Sequence, residues 1–220
     1  MEITYDLLRR SDEVNTYIRQ ADASLEALGF TEHSFAHVTK CAQQASWLLQ
    51  ALGYPARTAE LARIAGYLHD IGNVVNRVDH AQSGAIMAFR LLDKRGMPPE
   101  EVAAVVTAIG NHDEETAYPV NELAAALILA DKSDVRRTRV RSKDTIAFDI
   151  HDRVNYAVER SALNLNCEAK TITLELEIDS AICPILEYFE IFMTRMLLCR
   201  KAAAFFDLRF GIVINGQVMM

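Results

Sequence analysis

The chain has 220 residues, half of them hydrophobic and 24% charged, an ordinary globular balance with enough length to fill one core. Its net charge of −7 excludes a broad electrostatic grip on a nucleic-acid polymer, while a small anionic substrate held by a metal or by local arginines stays compatible. Four cysteines, Cys41, Cys167, Cys183 and Cys199, carry no CxxC or Cys-His spacing, which argues against a disulfide framework or zinc knuckle and suits a reduced, cytoplasmic setting. No basic-then-apolar leader follows Met1 and no apolar run reaches about 18 residues, so neither a signal peptide nor a membrane span is expected.

In chain order, residues 4–28 carry helical apolar spacing through Tyr5, Leu8, Val14, Ile18 and Leu25, ending at Gly29. Thr31, or Ser34 as a second candidate, caps a helix that passes His37, Cys41 and Leu48 and stops at Gly53. Thr58 opens a third, running through Leu61 and Leu68 to the doublet His69-Asp70 and a break at Gly72. His80 begins a fourth, ending at Gly96. Pro98-Pro99 start a fifth with Val102, Val105 and Ile109 on one face, ending near His112. Residues 120–135 form a sixth.

The pattern changes after about residue 145. Residues 154–166 alternate apolar positions from Val154 and Tyr156 to Leu163 and Leu165, and Ile172, Leu174, Leu176 and Ile178 alternate strictly with polar residues. Glu168-Ala169-Lys170 reads as the hairpin turn between them. Asp179 or Ser180 then caps a long apolar helix with Pro184 in its first turn, and 211–216 reads as a last strand. The expectation is a mainly α protein: a helical metal-binding domain over 1–145 and a small α+β unit over 146–220, with a short antiparallel sheet and one long helix. That helix, with Met193, Met196 and Leu197, reads as core under the sheet or as the contact of a homodimer.

The chemistry lies in an ordered set: His37, His69-Asp70, His80, His112 and Asp131. Most of these fall on segments that read as buried or half-buried helix, where an uncompensated charge or imidazole is costly. Neighbours on a helix point about 100° apart, but at a helix end before Gly72 both His69 and Asp70 can turn toward one ion. Nitrogen and oxygen ligands in this mixture suit Mn, Fe, Co, Ni or Zn better than Mg or Ca. With Asp70 as a bridge, His80 and His112 would hold a second ion, and two such ions activate a water and clamp a phosphate together.

The order H…HD…D resembles the HD superfamily of metal-dependent phosphohydrolases. The match is carried by His37 in Ser34-Phe35-Ala36-His37-Val38, by His69-Asp70 in Tyr67-Leu68-His69-Asp70-Ile71-Gly72, and by Asp131 in Leu129-Ala130-Asp131-Lys132, over roughly residues 30–140. His80 and His112 match the two extra histidines of members that hold two metals. Asn73, His112-Asp113, the absence of a GYP segment and the short gap from Asp70 to His80 depart from the HD-GYP subgroup. The short gap looks more like members that hydrolyse nucleotides or dinucleoside polyphosphates.

The resemblance implies an HD-type helical bundle and cleavage of a small phosphoester or phosphoanhydride, nucleotide-like, with a metal-activated water. His37, His69, Asp70 and Asp131 would hold one divalent transition metal, and Asp70, His80 and His112 the other. Lys132 or His33 would orient the phosphate or protonate the leaving group. His33 lies one turn before His37 and either shares its cleft or sits exposed near a cap. Of the basic run after Asp131, Lys132, Arg136 and Arg137 are the candidates for substrate phosphate, the rest a solvated face balanced by Asp134 and Asp144. Asp113-Glu114-Glu115 reads as a solvated loop in which Asp113 is the one able to reach metal or water, and His151 reads as a surface histidine. A di-iron oxygenase and a nucleotide sensor without turnover are the alternative readings.

Overall fold

The computed structural model describes residues 2–219. The first expected helix is two, α1 (Tyr5–Arg9) and α2 (Asp12–Ala27). The apolar spacing continues across the joint, but Ser11 Oγ accepts from Val14 N–H, and two acidic residues follow it in the first turn of α2. A serine that caps outcompetes continued helix at that position. Ser34, not Thr31, caps α3 (Phe35–Ala51). α4 (Ala56–Leu68) begins two residues before Thr58, directly after Pro55. A short 3-10 turn over Ile71–Val74 follows the doublet. Next come α5 (His80–Asp93), α6 (Pro99–Gly110) and α7 (Glu122–Lys132), and a second 3-10 turn spans Arg137–Arg139.

Residues 150–157 correct the sequence reading. They form helix α8 (Ile150–Ala157), capped by Asp149, so strand β1 begins only at Val158 and runs to Asn166. Val154 and Ala157 are buried on α8, a spacing of three that alternation from Val154 to Tyr156 masked. β2 spans Thr171–Ile178 with Ile172, Leu174, Leu176 and Ile178 inward. α9 spans Ile185–Phe205 and starts after Pro184, which flanks the helix rather than joining its first turn. β3 (Arg209–Ile214) and β4 (Gln217–Val218) complete a sheet of order β1-β2-β3-β4. The sheet is mixed, not antiparallel throughout: β2 and β3 run parallel because α9 carries the chain back across the sheet.

One continuous hydrophobic core joins the helices and the sheet, from Leu48, Ile64, Leu68 and Leu127 to Leu174, Tyr188, Phe192 and Ile212. α9 packs on both α7 and β3. It buries Tyr188, Phe192 and Met196 and leaves Leu186, Met193 and Leu197 partly exposed. No helix among the described residues is long and apolar enough to cross a membrane.

Two glycines set the approach that builds the site. A methyl group on Gly66 would stand 2.7 Å from Ala42 Cα, so α4 crosses α3 nearly backbone to backbone, bringing His69 beside His37. A methyl group on Gly72 would collide with the His80 carbonyl and the Gly84 amide, so the turn after the doublet lies against the start of α5. Gly66→Ala should cost about 1–3 kcal/mol by overpacking, read as a lower urea midpoint at unchanged slope. Gly110→Ala, whose added methyl would meet only the Ala85 side chain at 3.7 Å, should leave the midpoint unchanged or raise it.

Candidate metal centre

Four histidines reach the centre from four elements: His37 from the first turn of α3, His69 from the end of α4, His80 from the start of α5 and His112 from beyond α6. All four are buried. In each, Nδ1 lies against an oxygen that can only accept a hydrogen bond. His69 donates to Gly66 O at 2.9 Å, His80 to Arg77 O at 3.0 Å, His112 to Ile109 O at 2.6 Å, and His37 to Asp134 Oδ2 at 2.8 Å. That fixes the tautomer and turns every Nε2 inward.

Asp70 lies between them. Its Oδ2 is 3.5 Å from His37 Nε2 and 3.1 Å from His69 Nε2, while its Oδ1 is 3.7 Å from His80 Nε2 and 4.0 Å from His112 Nε2. Asp131 Oδ1 closes the first group, 3.3 Å from His37 Nε2 and 3.8 Å from His69 Nε2. Cys41, one turn beyond His37, adds a sulfur to that group. Its Sγ lies 3.7 Å from both His37 ring nitrogens, hence over the ring, and burial pushes its thiol pKa up.

Two observations fit this set to metal. His69 Nε2 and Asp70 Oδ2 are buried without a hydrogen-bond partner, a costly arrangement unless a cation satisfies both. His80 Nε2 and His112 Nε2 stand 3.2 Å apart, although each ring already places its proton on Nδ1. Two facing lone pairs repel, and burial lowers both pKa values, so a proton between them is disfavoured. Bond lengths of about 2.0–2.2 Å to a transition metal put neighbouring ligand atoms about 3–3.5 Å apart; the facing atoms stand 3.1–3.8 Å apart in the first group and 3.2–4.0 Å apart in the second, close to that spacing but slightly wider.

Charge follows the same division. Burial and Arg139 act to lower the His37 pKa, but the carboxylates of Asp131 and Asp134 hold it well above the ordinary value. Burial opposes ionisation of Asp70, yet its histidine neighbours keep its pKa well down; Lys132 and His37 do the same for buried Asp131. Asp134 is fully buried and also receives Lys40 Nζ at 2.7 Å and Arg136 Nε at 3.0 Å on Oδ1.

A cleft of about 500 Å³ opens over the centre. Asp70, His80, His112 and Asp131 line it, with Lys132, His33, Arg77, Arg139 and Arg195. His33 shares the cleft: its ring packs edge-on to His37 at 5.3 Å, its Nδ1 donates to Thr31 O at 2.7 Å, and burial with Arg139 lowers its pKa well below the ordinary value. Lys132 Nζ is 2.7 Å from Asp131 Oδ2.

Arg136 and Arg137 are not on the cleft wall. Arg136 is spent on Asp134, Glu32 and Thr138, and Arg137 on the Tyr156 carbonyl and the Tyr156 ring. The cations that do face the cleft are Lys132, Arg77 after the doublet, Arg139 of the same basic run, which is buried rather than on a solvated face, and Arg195 from α9. Glu114, rather than Asp113, pairs with Lys132, and His151 lines the cleft although its side chain is exposed. Asp134 had a signal in its sequence, three residues past Asp131 beyond an apolar helix. Arg195 had none, because its helix is remote in the chain.

The family model described as the HD domain matches residues 34–154, more than half of the chain. An uncharacterized protein of Methanocaldococcus jannaschii is 26% identical over 200 residues, spanning 80% of this chain and 76% of that one. A crystal structure described as a predicted HD superfamily hydrolase, from an uncultured Thermotogales bacterium, is similar at 28% identity and a TM-score of 0.46, covering 60% of this chain and 73% of that one.

Asp134→Asn should weaken metal binding roughly 10–100-fold, measured by competition with a chelating dye, with the fold retained by circular dichroism. The carboxylates beside His37 raise its pKa and favour its protonated form, so binding at the first group competes with that proton. Affinity there should rise with pH through neutrality, and calorimetry in buffers of different ionisation enthalpy should register the released proton. With two ions bound, His112→Ala should cost the one beside Asp70, His80 and His112 more than the other, read as metal content per chain.

Proposed function

The chain belongs to the HD-domain family, and from that footing we propose that it is a metal-dependent phosphohydrolase cleaving a small phosphoester or phosphoanhydride of nucleotide size. The observation that carries this reading is Asp70, a buried carboxylate whose two oxygens face two different histidine groups. In this reading residues 1–145 hold the metal and most of the cleft wall, and residues 146–220 complete the wall with Asp149, His151, Asp152, Asn155, Phe192 and Arg195.

His37, His69, Asp70 and Asp131 would hold one divalent transition-metal ion, and Asp70, His80 and His112 a second. When bound, such ions supply Lewis acidity toward a phosphoryl oxygen and toward water. The chain's own groups do the rest. Arg77, its Nη1 3.4 Å from His80 Nε2, reaches the same face and can donate to a phosphoryl oxygen. Lys132 is held charged, since Asp131 and Glu114 outweigh the burial that would lower its pKa. Its Nζ has three donors and spends one on Asp131, leaving others to orient phosphate and to give a proton to the leaving oxygen as its bond to phosphorus breaks. His33, with Nδ1–H committed to Thr31 O, presents a bare Nε2 that accepts a proton from the attacking water. The cleft's size suits one small ligand rather than a polymer.

The test is metal content of the purified protein together with a phosphoester and phosphoanhydride panel and an oxygen electrode. Two equivalents of transition metal, phosphate release and no oxygen uptake are expected. Asp70→Ala should lose metal and activity together with its fold intact. Full metal in that variant, or oxygen consumption without phosphate release, would overturn the reading.

A further inference from the structure

Lys132 and Arg195 both line the cleft, one from the end of α7 and the other from midway along α9, which packs on α7. Between them stands Glu114, from the loop after α6. Its Oε1 is 3.5 Å from Lys132 Nζ, and the same oxygen rests against Arg195 Nε. That second contact is close but misaligned: Arg195 Nε is buried and makes no hydrogen bond. The guanidinium carbon sits over the Phe192 ring, 4.5 Å from its centroid, a contact that restrains it. Two cations thus converge on a single carboxylate oxygen, and one keeps an unused, buried N–H donor.

The arrangement continues the ionic row from the metal centre. Asp131 bonds Lys132 through Oδ2 and faces His37 and His69 through Oδ1. Lys132 therefore lies one carboxylate from the centre, and Arg195 one further carboxylate beyond. A carboxylate between two donors occupies the place an anion of similar size would take, and a phosphate carries more charge and more acceptor oxygens than a carboxylate.

We propose that Lys132 and Arg195 form a second anion position that Glu114 fills in the free protein and that a phosphate next to the one being cleaved takes over on binding. The inference rests on the phosphohydrolase reading and sharpens it: the site selects a substrate with linked phosphates, a phosphoanhydride, over a phosphomonoester. It also gives the C-terminal unit a role, since α9 supplies half of the position. Glu114 acts as the gate. Its negative charge turns away weakly charged anions and yields to a polyphosphate.

Inorganic tripolyphosphate is the probe, titrated calorimetrically into the metal-free full chain so that chelation of metal does not intrude, with inorganic phosphate as the comparison. Tripolyphosphate should bind more tightly than phosphate. Glu114→Gln should tighten tripolyphosphate about tenfold, and Arg195→Ala should weaken it by about tenfold or more, the scale of one charged hydrogen-bond partner. Arg195→Lys, which keeps the charge but loses the planar fork, should fall between and serves if Arg195→Ala does not fold. Metal content should be unchanged in all three variants. Equal tripolyphosphate affinity in wild type, Glu114→Gln and Arg195→Lys would overturn the proposal, as would equal affinity for phosphate and tripolyphosphate. Absent phosphoester turnover with Arg195-dependent tripolyphosphate binding intact would support the anion position and overturn only the reading beneath it.

Discussion

The burial of Asp70 is the constraint around which the rest of the site is organised. An ionised carboxylate taken out of water costs several kcal/mol unless compensated, and this one has a buried oxygen with no hydrogen-bond partner. The surrounding groups are imidazoles whose Nε2 atoms all turn inward because every Nδ1 is held by an oxygen. The Asn73 amide donates to Oδ1 at 3.1 Å, but no donor satisfies Oδ2, to which a neutral imidazole would offer only a lone pair. The arrangement becomes favourable when cationic charge lies among these groups, and that demand is what makes the cluster a candidate metal centre.

Outside the ligands, a ring of hydrogen bonds keeps this geometry in place. Three of the four tethers are backbone carbonyls: Gly66 and Ile109, left free near the C-terminal ends of α4 and α6, and Arg77 in the loop before α5. The fourth is Asp134, a second buried carboxylate, made tolerable by Lys40, Arg136 and the His37 proton. Arg139 adds a bond to the Asp134 carbonyl at 2.8 Å and another to Glu32 O at 2.9 Å. The basic run after Asp131 therefore serves mainly to neutralise and brace, while the cations open to ligand are distributed around the cleft.

The C-terminal unit is joined to the bundle by a shared core, and α9 brings Phe192 and Arg195 to the cleft. Its crossover between β2 and β3 makes those strands parallel and sets the helix against α7. The same packing that buries Tyr188 and Met196 thus presents Arg195 at the cleft against Glu114, the carboxylate that also pairs with Lys132.

The ordered set His37, His69-Asp70, His80, His112 and Asp131 marked, without any structure, the residues that meet at the centre, while apolar periodicity along the chain marked the helical class. It could do so because each sits at a helix start, a helix end or one turn from it, and helix ends are written locally in caps, glycines and prolines. β2 was legible for a similar reason, its alternation being strict along one stretch of chain. The split between α1 and α2 was harder, since a capping serine and continued apolar periodicity are both local and compete. What only the tertiary structure decided were relations between distant segments: the parallel pairing of β2 with β3, the turn of Arg136 and Arg137 away from the cleft, and the arrival of Arg195. A side chain's nearest charge is set by which elements cross, and here the crossings depend on the close approach at Gly66 and Gly72 and on the packing of α9. Local sequence encodes which residues can bind; three-dimensional packing decides which charges each of them faces.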